Sequence, residues 1–156
     1  MRAQQVNAST VVAAAPEAVF ALLADPRRHA EFDGSGTVRG AVSGPARLGP
    51  GARFGMRMRI WLPYQINNTV VEFEEGRRIG WRHFGRHVWR YELEAVPGGT
   101  RVTETFDYAP AIFPGLLELI NAPARNAHSI RATLARLAEI LSDATARGSG
   151  SPHRRL

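Results

Sequence analysis

From Thr37 to Tyr108 the chain reads as strands and loops, and beyond them runs a single long amphipathic helix. That order leaves few folds open. Between Arg53 and Ile60, Phe54, Met56, Met58 and Ile60 alternate with Arg53, Arg57 and Arg59, which is the period of a half-buried strand. Further strands are expected at Thr37–Val42, Tyr64–Phe73 and Arg78–His83. His87–Val96 and Thr100–Tyr108 should form a hairpin about Pro97-Gly98-Gly99. From Pro114 to about Ala146, Leu116, Ile120, Ala127, Ile130, Leu134, Leu137 and Leu141 recur at three- and four-residue steps, one apolar stripe on a helix that Pro123 should kink.

The front of the chain adds a strand, Gln4–Val12, and a helix that Pro16 and Glu17 open and Asp25-Pro26 ends. A second short helix should run from Pro26 to about Phe32, stopped by Asp33-Gly34. The expected fold is therefore α+β: a curved seven-stranded antiparallel sheet wrapped around a long C-terminal helix, with two short helices after the first strand. A helix laid across a strongly bent sheet need not fill the concavity. The domain is placed at residues 1–146. The Gly/Ser/Pro/Arg-rich stretch 147–156 is read as a disordered tail.

A chain of 156 residues suits one domain and buries roughly 70% of its unfolded surface without staples. It has no cysteine, which excludes disulfides and thiolate chemistry. The net charge is +6 and every basic residue other than histidine is arginine. The arginines alternate with acids rather than cluster, so specific nucleic-acid binding is not expected. No run of about 20 apolar residues offers a membrane span. The Ala/Val run after Arg2 is interrupted by Gln4, Gln5, Asn7, Pro16 and Glu17, unlike a secretory leader, and a cytoplasmic protein is expected. Gly49-Pro50-Gly51 precedes a strand instead of opening a helix, so it is no phosphate loop, and no cofactor is expected.

The segment Val11-Val12-Ala13-Ala14-Ala15-Pro16-Glu17-Ala18-Val19-Phe20-Ala21-Leu22-Leu23-Ala24-Asp25-Pro26 resembles the opening of the START-like superfamily in its polyketide cyclase/dehydrase branch. Gly98-Gly99-Thr100-Arg101-Val102-Thr103-Glu104-Thr105 resembles that family's penultimate element, and Thr133-Leu134-Ala135-Arg136-Leu137 its terminal helix. The likeness spans about residues 4 to 143. It departs at Phe32, where the second short helix often carries tryptophan. The resemblance implies a helix-grip fold with a cavity for lipids, sterols, polyketides or hormone-like ligands. It implies no universal catalytic set; some relatives are aromatase/cyclases and many only bind or carry.

The hairpin supplies the candidate site. A two-residue turn at Pro97-Gly98 or Gly98-Gly99 sets Trp89, Tyr91 and Leu93 beside Val102, Glu104 and Phe106, with Arg90, Glu92, Glu94, Arg101, Thr103 and Thr105 on the other face. Glu104 is then a carboxylate among apolar neighbours. It must find a partner or titrate high, which suits either a general acid or base or an anchor for a ligand hydroxyl. Glu104 and Tyr108 are the candidate catalytic pair. Trp89, Tyr91, Glu104, Phe106, Met58, Trp81, Asn68, Leu116 and Ile120 are the candidate ligand contacts; Trp81 and Asn68, with Tyr64 beside them, are the weaker ones because strand phase there is ambiguous. His83 and His87 are read as a solvated basic turn with Arg82, Arg86 and Arg90, not a metal site. Trp61-Leu62-Pro63 is either a flap at a cavity mouth or a turn packed on a neighbour. Two functions remain open: a binder of a lipid- or polyketide-like molecule, monomeric or homodimeric, and a polyketide aromatase/cyclase or dehydrase.

Overall fold

The computed structural model describes residues 3–148. Seven strands form one antiparallel sheet: β1 (Gln5–Val12), β2 (Val38–Ser43), β3 (Arg53–Arg59), β4 (Pro63–Glu74), β5 (Arg78–Arg82), β6 (Val88–Val96) and β7 (Gly99–Asp107). Their order across the sheet is β1-β7-β6-β5-β4-β3-β2. Every neighbour but β1 follows in sequence, so short turns build most of the sheet and β1 closes one edge against β7.

Helix α1 (Pro16–Leu23) starts at proline, where a first turn needs no amide hydrogen, and buries Val19, Phe20, Leu22 and Leu23. A 3-10 turn, Pro26–Arg28, leads into α2 (His29–Phe32), and Asp25 caps that turn by accepting from the Arg27 amide. These pieces follow the expected order.

The C-terminal helix differs from expectation. It is two helices, α3 (Pro114–Leu119) and α4 (Ala122–Gly148), and the break lies at Asn121 rather than at Pro123. Asn121 takes a left-handed φ of 59°, a conformation asparagine tolerates, and Pro123 sits in the first turn of α4 without cost. The expected stripe is therefore broken. Ile130, Leu134, Leu137 and Leu141 are buried, whereas Leu116 and Ile120 are exposed and α3 has only Leu117 partly buried against the core. Helix α4 also runs to Gly148, so Arg147 and Gly148, expected in a tail, are helical; 149–156 lie outside the described residues. Among the described residues no helix is long and apolar enough to cross a membrane.

The grip is fastened at two points. Gly34 donates its amide to Thr133 Oγ1 at 2.9 Å, and Arg136 donates to the Asp33 carbonyl at 2.8 Å. A Cβ at Gly34 would lie 2.4 Å from the Thr133 nitrogen, so only glycine lets the end of α2 approach α4 this closely. At the other end Thr100 donates to the Ala14 carbonyl at 2.7 Å, tying β7 to the start of α1.

Candidate functional site

The hairpin pairs Trp89 with Phe106, Tyr91 with Glu104 and Leu93 with Val102, the expected register. Val96 pairs with Gly99, so the turn is Pro97-Gly98, with Gly98 at φ 88° where a side chain would be strained. On the outer face Arg90 bridges Glu72 and Asp107, Arg78 meets Glu92 and Arg101 meets Glu94. The inner face bounds a cavity of about 480 Å³ between the sheet, α2 and the first half of α4.

Glu104 lies at the middle of β7 between Ala8 and Tyr91 and is 3% exposed. Tyr91 donates its hydroxyl to Glu104 Oε1 at 2.9 Å, while Oε2 is buried with no partner. Burial raises the Glu104 pKa from 4.5 to about 8; the tyrosine hydrogen bond opposes this and the Asp33 charge adds to it. Burial, then the Glu104 charge, pushes the Tyr91 phenol well above its ordinary range, so it remains a donor. The sequence offers two exclusive cases for Glu104, a partner or a raised pKa. The structure combines them: one hydroxyl satisfies one oxygen and desolvation still wins. With Oε1 accepting from Tyr91, Oε2 is the natural seat of the acidic proton.

The remaining expected residues divide. Trp89, Tyr91, Glu104, Met58, Trp81, Asn68, Tyr64 and Ile120 all border the cavity. Phe106, Tyr108 and Leu116 do not. Phe106 shares the inner face, but the rings of Trp89 and His87 pack on it at 4.8 and 5.1 Å. Tyr108 stacks on Phe106, and its hydroxyl reaches Glu118 at 3.3 Å, not Glu104. Leu116 falls outside and is exposed, although its neighbour Leu117 on α3 lines the cavity. Phase in β4 is ambiguous in the sequence because of an irregularity between Val70 and Glu72; before it, Asn68 and Val70 both point inward. Asn68 is 4% exposed and its carboxamide makes no hydrogen bond to any described residue.

Two histidine assignments change. His83 and His87 are not a solvated turn: both are half-buried at the cavity wall, with rings 4.3 Å apart. Burial lowers the pKa of each, His87 to about 4 with the His83 charge contributing, so both are neutral near pH 7. Among the described residues no three His, Cys, Asp or Glu side chains gather as metal ligands. Sequence reasoning misses His29 altogether. It is buried, stacks on Trp81 at 4.8 Å and donates Nε2–H to the Leu23 carbonyl at 2.8 Å, which leaves Nδ1 an acceptor. Burial lowers its pKa to about 4. The signal is present in the spacing: Pro26, His29 and Phe32 recur every three residues, and all three are buried.

The chain is thus a helix-grip protein whose cavity has aromatic walls and a few polar groups, among them the buried Glu104. Residues 3–142 match the family described as polyketide cyclase / dehydrase and lipid transport, and the chain belongs to that family. An uncharacterized protein of Mycobacterium tuberculosis is 46% identical over 150 residues, covering 92% of this chain. The chain spans only 65% of that relative's length. Among solved structures, protein NE0264 from Nitrosomonas europaea superposes with a TM-score of 0.72 at 18% identity, covering 94% of this chain and 99% of that one. The Polyketide_cyc-like protein Cgl2372 from Corynebacterium glutamicum superposes at 0.58 with 21% identity, covering 96% and 98%. At these identities the likeness is one of fold.

Proposed function

We propose that this chain binds one hydrophobic small molecule, lipid- or polyketide-like, in the cavity between sheet and α4. The observation that carries this reading is the neutral acid Glu104, buried beside Tyr91 at the wall of an otherwise aromatic cavity. The volume lies in the usual range of small-molecule sites. Trp81, Trp89, Phe54 and Met56 offer apolar surface. Three polar groups at the wall are neutral near pH 7, the Glu104 acid, the Asn68 carboxamide and His29 Nδ1, while Asp33 and Arg125 also line the cavity. The neutral groups match a ligand carbonyl or hydroxyl better than a carboxylate, which would lose its hydration beside a neutral acid that brings no opposite charge. Native mass spectrometry of the purified protein tests the reading. A 1:1 adduct of a neutral, apolar compound that leaves on denaturation is expected; a bare chain that also refuses added apolar probes would contradict it.

A second reading, aromatase/cyclase or dehydrase chemistry, draws on the same Glu104. A carboxylic acid that titrates near neutrality is matched to proton transfer. In that case Glu104 donates a proton to a carbonyl or departing hydroxyl of a chain the cavity has folded. Turnover of a poly-β-keto thioester, abolished in Glu104→Gln, would favour it over simple carriage.

A further inference from the structure

Large apolar side chains stand in solvent at one end of this molecule, and they ring the cavity mouth. The β3–β4 turn presents Trp61, 90% exposed, with Ile60 and Leu62. The β5–β6 turn presents Phe84, 80% exposed. The stretch from β7 through α3 presents Ile112, Phe113, Leu116 and Leu119, the last 82% exposed. These three segments border one opening: the cavity is lined by Ile60 and Tyr64 from the first, His83 from the second and Leu117 from the third. The Ile112 amide donates to the Gly85 carbonyl at 3.3 Å, joining the second segment to the third. Exposed apolar surface on this scale, rimmed by polar groups, marks an interaction site.

We propose that this rim docks on the surface of an anionic lipid bilayer, with the cavity mouth facing the membrane. The charge distribution selects that occupant. Elsewhere seven arginines meet acids, as in Arg47–Glu75, Arg77–Glu74, Arg78–Glu92, Arg90–Glu72 and Arg101–Glu94, while Arg39, Arg53, Arg131, Arg136 and Arg147 lie apart from these apolar segments and form no ion pair with any described residue. Beside these segments Arg59, Arg82 and Arg86, with Arg125 at the cavity wall, form no ion pair with any described residue. The one acid of the three segments is Glu118, and it faces the Tyr108 hydroxyl. A collar of unmatched arginines around protruding Trp, Phe and Leu side chains complements anionic headgroups over an apolar interior. A second copy fits poorly: a two-fold contact through this face would set the two collars against each other. The docking is peripheral and does not depend on what occupies the cavity.

Co-sedimentation of the full chain with vesicles of phosphatidylglycerol and phosphatidylcholine, against phosphatidylcholine alone, tests it. The chain is expected to partition onto the anionic vesicles, weakening as salt rises from 0.1 to 0.5 M by roughly the loss expected when the screening length falls. Trp61→Ala with Phe84→Ala should reduce partitioning by about tenfold or more, since each ring loses its apolar burial. Neither residue lines the cavity, and the exposure of both keeps the fold intact. Arg59→Gln with Arg82→Gln should remove most of the salt-sensitive part while thermal unfolding stays that of the parent. Three results would overturn the proposal: no partitioning onto anionic vesicles at low salt, partitioning that the Trp61/Phe84 variant retains in full, or a dimer in sedimentation velocity that Trp61→Ala dissolves.

Discussion

Replacing Glu104 by glutamine removes the proton and leaves the shape. In the folded parent the carboxyl titrates at about 8, against 4.5 unfolded, so over that interval the native state binds the extra proton. Stability therefore falls as pH rises through 4.5 and goes on falling until about 8. Each pH step inside the window is worth ~1.4 kcal/mol, which makes the parent ~3 kcal/mol less stable at pH 7 than its neutral acid would be. Histidines complicate the lower half of the window. His29 and His87 titrate near 4 in the fold, and their stabilising contribution is lost as pH falls from 6.5 toward 4. That trend opposes the Glu104 trend below 6.5 and vanishes above it. Between pH 6.5 and 8 the parent should lose ~2 kcal/mol, or about 6 °C of melting temperature for a chain of this size. Glu104→Gln should be flat there. Its carboxamide oxygen still accepts from Tyr91, while its amide nitrogen is buried where Oε2 had no partner, at a cost of ~1–3 kcal/mol. The two effects nearly offset at pH 7, so the slope is the readout and not the melting temperature at one pH. Thermal unfolding of both proteins at pH 6.5, 7.25 and 8 decides it. Parallel curves would show that Glu104 does not titrate high and would refute the argument from desolvation.

Two other substitutions probe the same wall and its fastening. Tyr91→Phe leaves Glu104 Oε1 without its donor; it should lower stability by ~1–3 kcal/mol and carry the pH-dependent window higher, read by the same unfolding series. Gly34→Ala would place a methyl 2.4–2.5 Å from the Thr133 nitrogen and Ser129 carbonyl, so α2 must part from α4; a loss of more than ~3 kcal/mol in chemical denaturation is expected, against less than ~1 kcal/mol for Gly115→Ala, where a Cβ meets nothing and α3 is exposed.

Much of this architecture can be read from the residues, for reasons that also mark where reading stops. The hairpin is legible because a two-residue turn and a period of two leave one phase that keeps Trp89, Tyr91 and Leu93 on the apolar side, and Glu104 follows from that phase. Strand β3 is legible in the same way, through Met56 and Met58. Strand β4 is not, because an irregularity after Val70 shifts the pairing and is invisible in side-chain pattern. The apolar stripe of the last helix conceals the break at Asn121, since Leu116 and Ile120 continue its period although both remain about half exposed. The signals of a stop and restart, an asparagine able to take positive φ followed two residues later by proline, are present and outweighed by the stripe. Tyr108 is placed correctly in phase and wrongly in reach: alternation says which face a residue takes and not which ring covers it. His29 opens a helix only four residues long, too short for periodicity to stand out.

The space beside Glu104 is proposed to receive an apolar molecule. The chain holds three tryptophans; Trp81 and Trp89 line the cavity and Trp61 stands outside it. In Trp61→Phe the intrinsic fluorescence reports the cavity alone. Titration with a neutral aromatic ketone should give a saturable change in that emission with one site per chain. The affinity should fall above pH 8, where Glu104 ionises and can no longer donate. An emission indifferent to every apolar titrant, with the fold intact, would contradict the account.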